Sequence, residues 1–261
     1  MFSAVRFLPR IVPMSPADFA ALPWNGATDH IGPVGQVTPL FEALLKKTNC
    51  ALYMIYLGCV GLCHQRTASV FDQKLNLLLM EQIFAYQFDG RYPKTFGITI
   101  DDVDDTSDKV RSVRRSIAFF FFELLERAPG GFLSERPIMD IAHMIHLTRH
   151  LCGTQNAAAV DGWLRGIIER LNTVAPLTVE HSPFLYDYPD RESWAAATVE
   201  THGTPLPLEV LDLALDLSGL DLVARATEEL AEIDPAQNQL LVPPATLLAE
   251  GFVGRPYGRD R

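Results

Sequence analysis

Ile138-Met139-Asp140-Ile141-Ala142-His143-Met144-Ile145-His146-Leu147-Thr148-Arg149-His150-Leu151-Cys152 is the stretch whose reading decides the fold. At about 100° per residue, Met144, Leu147 and Leu151 form one apolar stripe and Ile138, Ile141 and Ile145 another, while His143, His146 and His150 share a sector of about 60°. Ser134-Glu135-Arg136-Pro137 has the composition of a helix start, because proline's missing N–H costs nothing in a first turn, and Gly153 is a stop signal. A helix that is apolar on two sides belongs in a core. The expectation is a protein made of helices packed around this one.

The same period recurs on both sides. Upstream, Met1 to Met14 reads as a short extended segment and Ser15-Pro16-Ala17-Asp18 as a capped turn, followed by a long loop from Leu22 to Val37 punctuated by Pro23, Gly26, Gly32, Pro33 and Gly35. Thr38-Pro39 opens a helix with Leu40, Leu44 and Leu45 inward. Asn49 marks a break before a buried helix, Ala51 to Cys63, in which Gly58 and Gly61 allow a neighbour to pack close. A helix over Ala68 to Phe88 ends at Asp89-Gly90. Val110, Val113, Ile117, Phe121 and Leu124 predict another, closed by Pro129-Gly130-Gly131, and its four consecutive aromatics Phe119 to Phe122 cannot all hide on one face of a surface helix.

Downstream, Asn156 is the expected cap of a helix through Val160, Trp163, Leu164, Ile167, Ile168 and Leu171. A second long loop, 173–192, precedes helices over Ser193 to Val199, Leu208 to Leu217 and Asp221 to Ile233, and a last turn follows Pro243-Pro244. No strand pair and no repeat interrupts this succession. The fold class is therefore all-α: a single domain over 1–250 of about eight or nine helices with two long irregular loops, subdividing if anywhere near 173–205, and a flexible basic tail over 251–261.

Composition narrows the function. Among 261 residues, 32 acidic side chains against 22 basic ones leave a formal charge of -10, which argues against nucleic acid and anionic membrane surfaces and favours a basic partner. Cys50, Cys59, Cys63 and Cys152 lie inside apolar segments, as reduced thiols of a cytoplasmic protein do. The N-terminus lacks the unbroken apolar core of an export signal, and the apolar run Cys50 to Cys63 is shorter than the roughly 20 residues that span a bilayer. G-x-S-x-G, Walker, G-x-G-x-x-G and kinase signatures are absent.

Three groups carry candidate chemistry. His143 with His146, or His146 with His150, has the spacing of a chelating pair for a transition metal, with Asp140 one turn earlier as a further ligand, although His143 and His150 stand about 10 Å apart along the axis and cannot share one ion. Cys59 and Cys63, one turn apart beside His64, suit buried packing better than a metal site. Asp101-Asp102-Val103-Asp104-Asp105 resembles, over five residues, the aspartate-rich pattern with which all-α prenyl-transferring enzymes hold magnesium on a diphosphate; a helix entry rich in carboxylates needs no ligand to explain it. In the second loop, Phe184, Tyr186 and Tyr188 mix aromatics with acids as a protein interface does.

The leading expectation is a cytosolic protein-binding module, an inhibitor or immunity-type protein or an adaptor, for a basic protein partner and with no cofactor. The alternative is a helical metal-dependent or small-ligand enzyme working through His143, His146 and His150.

Overall fold

A computed structural model of the chain describes residues 4–26, 38–95, 99–127, 136–182 and 184–258. The described residues are 62% helical with no strand among them, which makes the chain an all-α single domain, and eleven α-helices are described, eight of them seven residues or longer. No helix among the described residues is long and apolar enough to cross a membrane.

The hub is the buried helix α3 (Asn49–Thr67), following α1 (Pro16–Ala21) and α2 (Pro39–Leu45). Every residue of α3 from Asn49 to Cys63 is buried, so it has neighbours all round. They are α4 (Lys74–Tyr86), the histidine helix α7 (Ile138–Cys152), α8 (Ala157–Val174) and the 3-10 turns Ala4–Phe7 and Leu208–Leu211. Gly58 and Gly61 admit two of these closely: Gly58 faces the Trp163 indole of α8 and Gly61 the end of Leu8. The aspartate-rich region falls on the short α5 (Ile100–Asp104), which leads into the long α6 (Lys109–Glu126). All four aromatics Phe119 to Phe122 are buried, and α6 is fastened to α3 by Tyr56, whose hydroxyl donates to the Ile117 carbonyl at 3.1 Å and accepts from the Phe121 N–H at 3.0 Å.

Local start signals are realised where the sequence carries them. Ser15 and Asp18 form a reciprocal capping box on α1, as do Thr99 and Asp102 on α5, and Thr38 and Thr48 cap α2 and α3. Four expectations are corrected. The first segment winds into a 3-10 turn at Ala4–Phe7 rather than running extended. The helix expected from Ala68 starts only at Lys74, since Gln73 turns its amide back onto the Thr67 and Phe71 carbonyls at 2.9 and 2.8 Å. Asn156 stands at the N-cap of α8 as expected but makes no side-chain cap bond; its side chain accepts from the Val12 N–H at 2.8 Å and donates to the Cys152 carbonyl at 3.0 Å.

Fourth, Leu208 to Leu217 forms only the 3-10 turn Leu208–Leu211. Asp212 and Asp216 accept from the N–H groups of Ala214 and Ser218, both at 3.0 Å. Arg170 then takes the carbonyls of Asp212, Leu213 and Leu215 that a helix would have used. The C-terminal part is closed by α9 (Arg191–Glu200), α10 (Leu222–Glu232) and α11 (Pro244–Ala249).

The segment from Gly251 is not a loose tail as far as residue 258. Tyr257 is fully buried and stacks on Tyr92 with 4.2 Å between ring centroids, donating its hydroxyl proton to the Val242 carbonyl at 2.8 Å. Residues 259–261 of the expected tail, 27–37 of the first loop, and the expected helix stop and start at 128–135 lie outside the described residues.

Candidate functional site

The histidines of α7 share a face of that helix but not a site. His143 is half-buried with its ring 5.3 Å from that of Phe120 on α6, and burial, then the neighbouring His146, holds its pKa below the ordinary imidazole value. His146 is lowered by burial and then by Arg149. His150 donates from Nε2 to the Pro23 carbonyl at 3.0 Å, which fixes the proton on that nitrogen, and its ring lies 6.2 Å from Trp24. Asp140 is engaged by Arg127, Nη2 to Oδ2 at 2.8 Å. Among the described residues no group of three or more His, Cys, Asp or Glu side chains is placed to hold a metal ion.

The other chemical candidates are likewise occupied. Cys63 approaches the Thr148 hydroxyl of α7 at 3.6 Å, and Cys59, Cys63 and Cys152 form a fully buried thiol group between α3 and α7. Burial pushes the Cys59 and Cys152 thiols up to about 12, so they stay protonated and unreactive at neutral pH. Asp102 and Asp105, two of the carboxylates of the prenyl-transferase-like pattern, are bound by Arg115 and Arg111, whereas Asp101 is exposed.

A polar cluster at the start of α3 went unnoticed in the sequence because its members come from distant segments. Carbonyls of Thr201 and His202 close the first N–H groups of α3, accepting from Asn49 and Cys50, both at 2.9 Å. The His202 Nε2 lies 3.4 Å from the Cys50 sulfur and 2.9 Å from the Gln87 carbonyl. A carbonyl only accepts, so Nε2 carries the proton and cannot take one from the thiol. Burial also raises the Cys50 thiol. The pair ties segments together and is not a nucleophile with its base.

A carboxyl pair lies between α10 and the 3-10 turn Leu208–Leu211. Glu229, only 2% exposed, accepts from the Leu208 N–H at 2.8 Å and neighbours Glu209, which Arg225 holds at 2.7 Å. Burial first, opposed by that N–H and reinforced by Glu209, pushes Glu229 from its ordinary 4.5 up to about 8. Between about pH 4.5 and 8 the folded chain thus holds a proton that the unfolded chain has released, and stability falls as pH rises; the contribution is complete below 4.5 and lost above about 8. Glu229→Gln keeps the acceptor for Leu208 without the charge. It is expected to be more stable than the parent by about 2 kcal/mol at pH 8.5 and to flatten the fall in urea-denaturation midpoint between pH 5 and 8.5.

The aromatic segment before α9 is the outward-facing site. Phe184, Leu185 and Tyr186 sit on the 3-10 turn Leu185–Asp187 and are 39%, 42% and 79% exposed. The Phe184 and Tyr186 rings stack, 5.2 Å apart and 11° from parallel. The turn is braced from within. Ser182 accepts from the Phe184 N–H at 3.2 Å and donates to Asp187, and the Tyr188 hydroxyl accepts from the Ser182 N–H at 3.1 Å. Tyr188 is half-buried, so it supports the turn, whereas Leu185, not singled out by its sequence context, joins the exposed surface.

Beneath the turn, the Thr198 hydroxyl donates to the Trp194 carbonyl at 3.0 Å, so His181 Nε2, 3.1 Å from that oxygen, is the donor to it. Burial and then the charge of Arg136 push His181 down to about 4, leaving it neutral at physiological pH. Around the rings, Glu180, Asp187, Asp190 and Glu192 are exposed, against Arg191 as the nearby exposed base. Compared with models of protein families, with curated proteins and with solved structures, the chain matches none.

Proposed function

We propose that the chain is a protein-binding module whose contact surface is the Phe184-Leu185-Tyr186 turn, and that its partner is a basic protein, which makes it an inhibitor or adaptor by class. The observation that carries this reading is the exposed, stacked ring pair on a turn fixed by its own hydrogen bonds. Exposed apolar residues in contact with one another and rimmed by charge suit a partner surface, and a turn held in place beforehand loses little entropy on binding. The surrounding carboxylates, added to a chain charge of -10, favour a basic partner and speed its approach.

The test replaces Tyr186 with a photo-crosslinking benzoylphenylalanine in the full chain within its source cells, and Val253, 91% exposed, as the control position. The expected result is one dominant adduct from position 186 and none from 253, its yield falling as salt rises. Tyr186→Ala should then weaken binding of the identified protein by about 2 kcal/mol with an unchanged melting temperature. Adducts that are absent at 186, or equal at both positions, overturn the reading.

A further inference from the structure

Between the N-terminal halves of α4 and α6 the charge runs against that of the chain. A surface cavity of about 360 Å³ is lined there by Lys74, Arg111, Arg114 and Arg115, with Asp72 as the carboxylate in its wall. The three arginines project from the first two turns of α6, where the helix dipole opposes cations. Arg111 and Arg115 have a structural explanation, since Asp105 and Asp102 pair with them. Arg114 has none: no carboxylate pairs with it among the described residues, its guanidinium stands 5.9 Å from the Phe71 ring centroid, and its Nε is buried without a hydrogen-bond acceptor. Asp72 does not answer the Lys74 ammonium either, as its carboxylate accepts from the Lys74 backbone N–H at 3.1 Å.

Gathering like charges around one cavity is unfavourable unless something in it answers them. One occupant answers that charge, an anion held by the outer N–H groups of these side chains. We propose that this cavity binds a phosphate group, free or as the ester of a small organic molecule. A carboxylate is satisfied by a single arginine fork, whereas a dianion with three acceptor oxygens can use Arg114, Lys74 and the remaining N–H groups of Arg111 and Arg115 together. Leu75 and Leu78 give the cavity an apolar wall and Gln239 a neutral polar one, which suits the body of an ester. A nucleic acid is disfavoured, because its many phosphates would meet the net charge of -10.

The experiment is calorimetric titration at low salt of the full chain with sodium phosphate and with phenyl phosphate. Saturable one-to-one binding is expected, weakened about tenfold or more in Arg114→Gln, less in Arg114→Lys, which keeps the charge but loses the fork, and unchanged in Arg165→Gln, an exposed arginine of α8. Lys74→Gln provides a second variant should Arg114→Gln unfold. Tighter binding of phenyl phosphate assigns the site to an ester, and equal affinity to free phosphate. No saturable binding of either probe, or equal losses in Arg114→Gln and Arg165→Gln, overturns the proposal.

Discussion

Gly58→Ala is expected to destabilise the protein by about 3 kcal/mol, although alanine is ordinarily the better helix former by about 1 kcal/mol. A Cβ at Gly58 would overlap the Cη2 and Cζ2 atoms of Trp163. That ring cannot retreat: it is 3% exposed, and its Nε1 donates to the Leu211 carbonyl at 3.1 Å, so moving it disturbs the turn that carries Arg170's acceptors. Gly61→Ala on the same helix overlaps only the Cδ1 of Leu8, the end of a flexible side chain, with the Met80 sulfur at ordinary contact distance, and should be within about 1 kcal/mol of the parent. Urea denaturation of both variants checks the contrast. Introducing Gly58→Ala into Trp163→Phe, where the outer part of the indole is gone, should cost much less than in the parent, and strict additivity of the two changes would exclude the clash as the cause.

These glycines illustrate what the sequence conveyed. Their place inside an apolar run was enough to predict close approach, and the bounds of α7 follow within a residue from Pro137 and Gly153. Helices with an apolar period and local punctuation were legible because the signal and the structure it forms lie in the same few residues. Leu208 to Leu217 was misread because its apolar spacing was helical while Asp212, Asp216 and the distant Arg170 claimed its backbone groups. The histidine sector was read correctly as a shared face. What lies opposite it, Phe120, Pro23 and the Arg127 that holds Asp140, comes from other segments, and no spacing within α7 reports that. Of the interface candidates, the aromatic content of the loop was visible. Which rings face out was decided by the Ser182 and Tyr188 hydrogen bonds.

Arg136 looked like helix-start punctuation and is instead a buried charge that ties α2 to α3. Only 8% exposed, it donates from Nη1 to the Leu45 carbonyl at 2.7 Å, from Nη2 to the Lys47 carbonyl and from Nε toward Asn49 Oδ1 at 3.4 Å. The Leu45 carbonyl is among those left open at the end of α2, and the other two acceptors flank the start of α3, so one guanidinium holds the corner between the helices. Burial pushes its pKa down to about 10, so it is still charged at neutral pH, and these three hydrogen bonds offset that desolvation.

Arg136→Met should therefore cost about 3–5 kcal/mol, because it strands three acceptors at once, two of them buried, and Arg136→Lys should recover less than half of that, since an ammonium cannot reproduce the fork. The consequence reaches the proposed contact surface, for Arg136 lies close enough to His181 and Tyr188 to act on them electrostatically. Hydrogen exchange in Arg136→Lys should accelerate at Asn49 and Cys50 and at Ser182, whose N–H is held by Tyr188, ahead of α10. Exchange that accelerates uniformly would show that the residue acts on global stability alone and does not brace the turn carrying Phe184 and Tyr186.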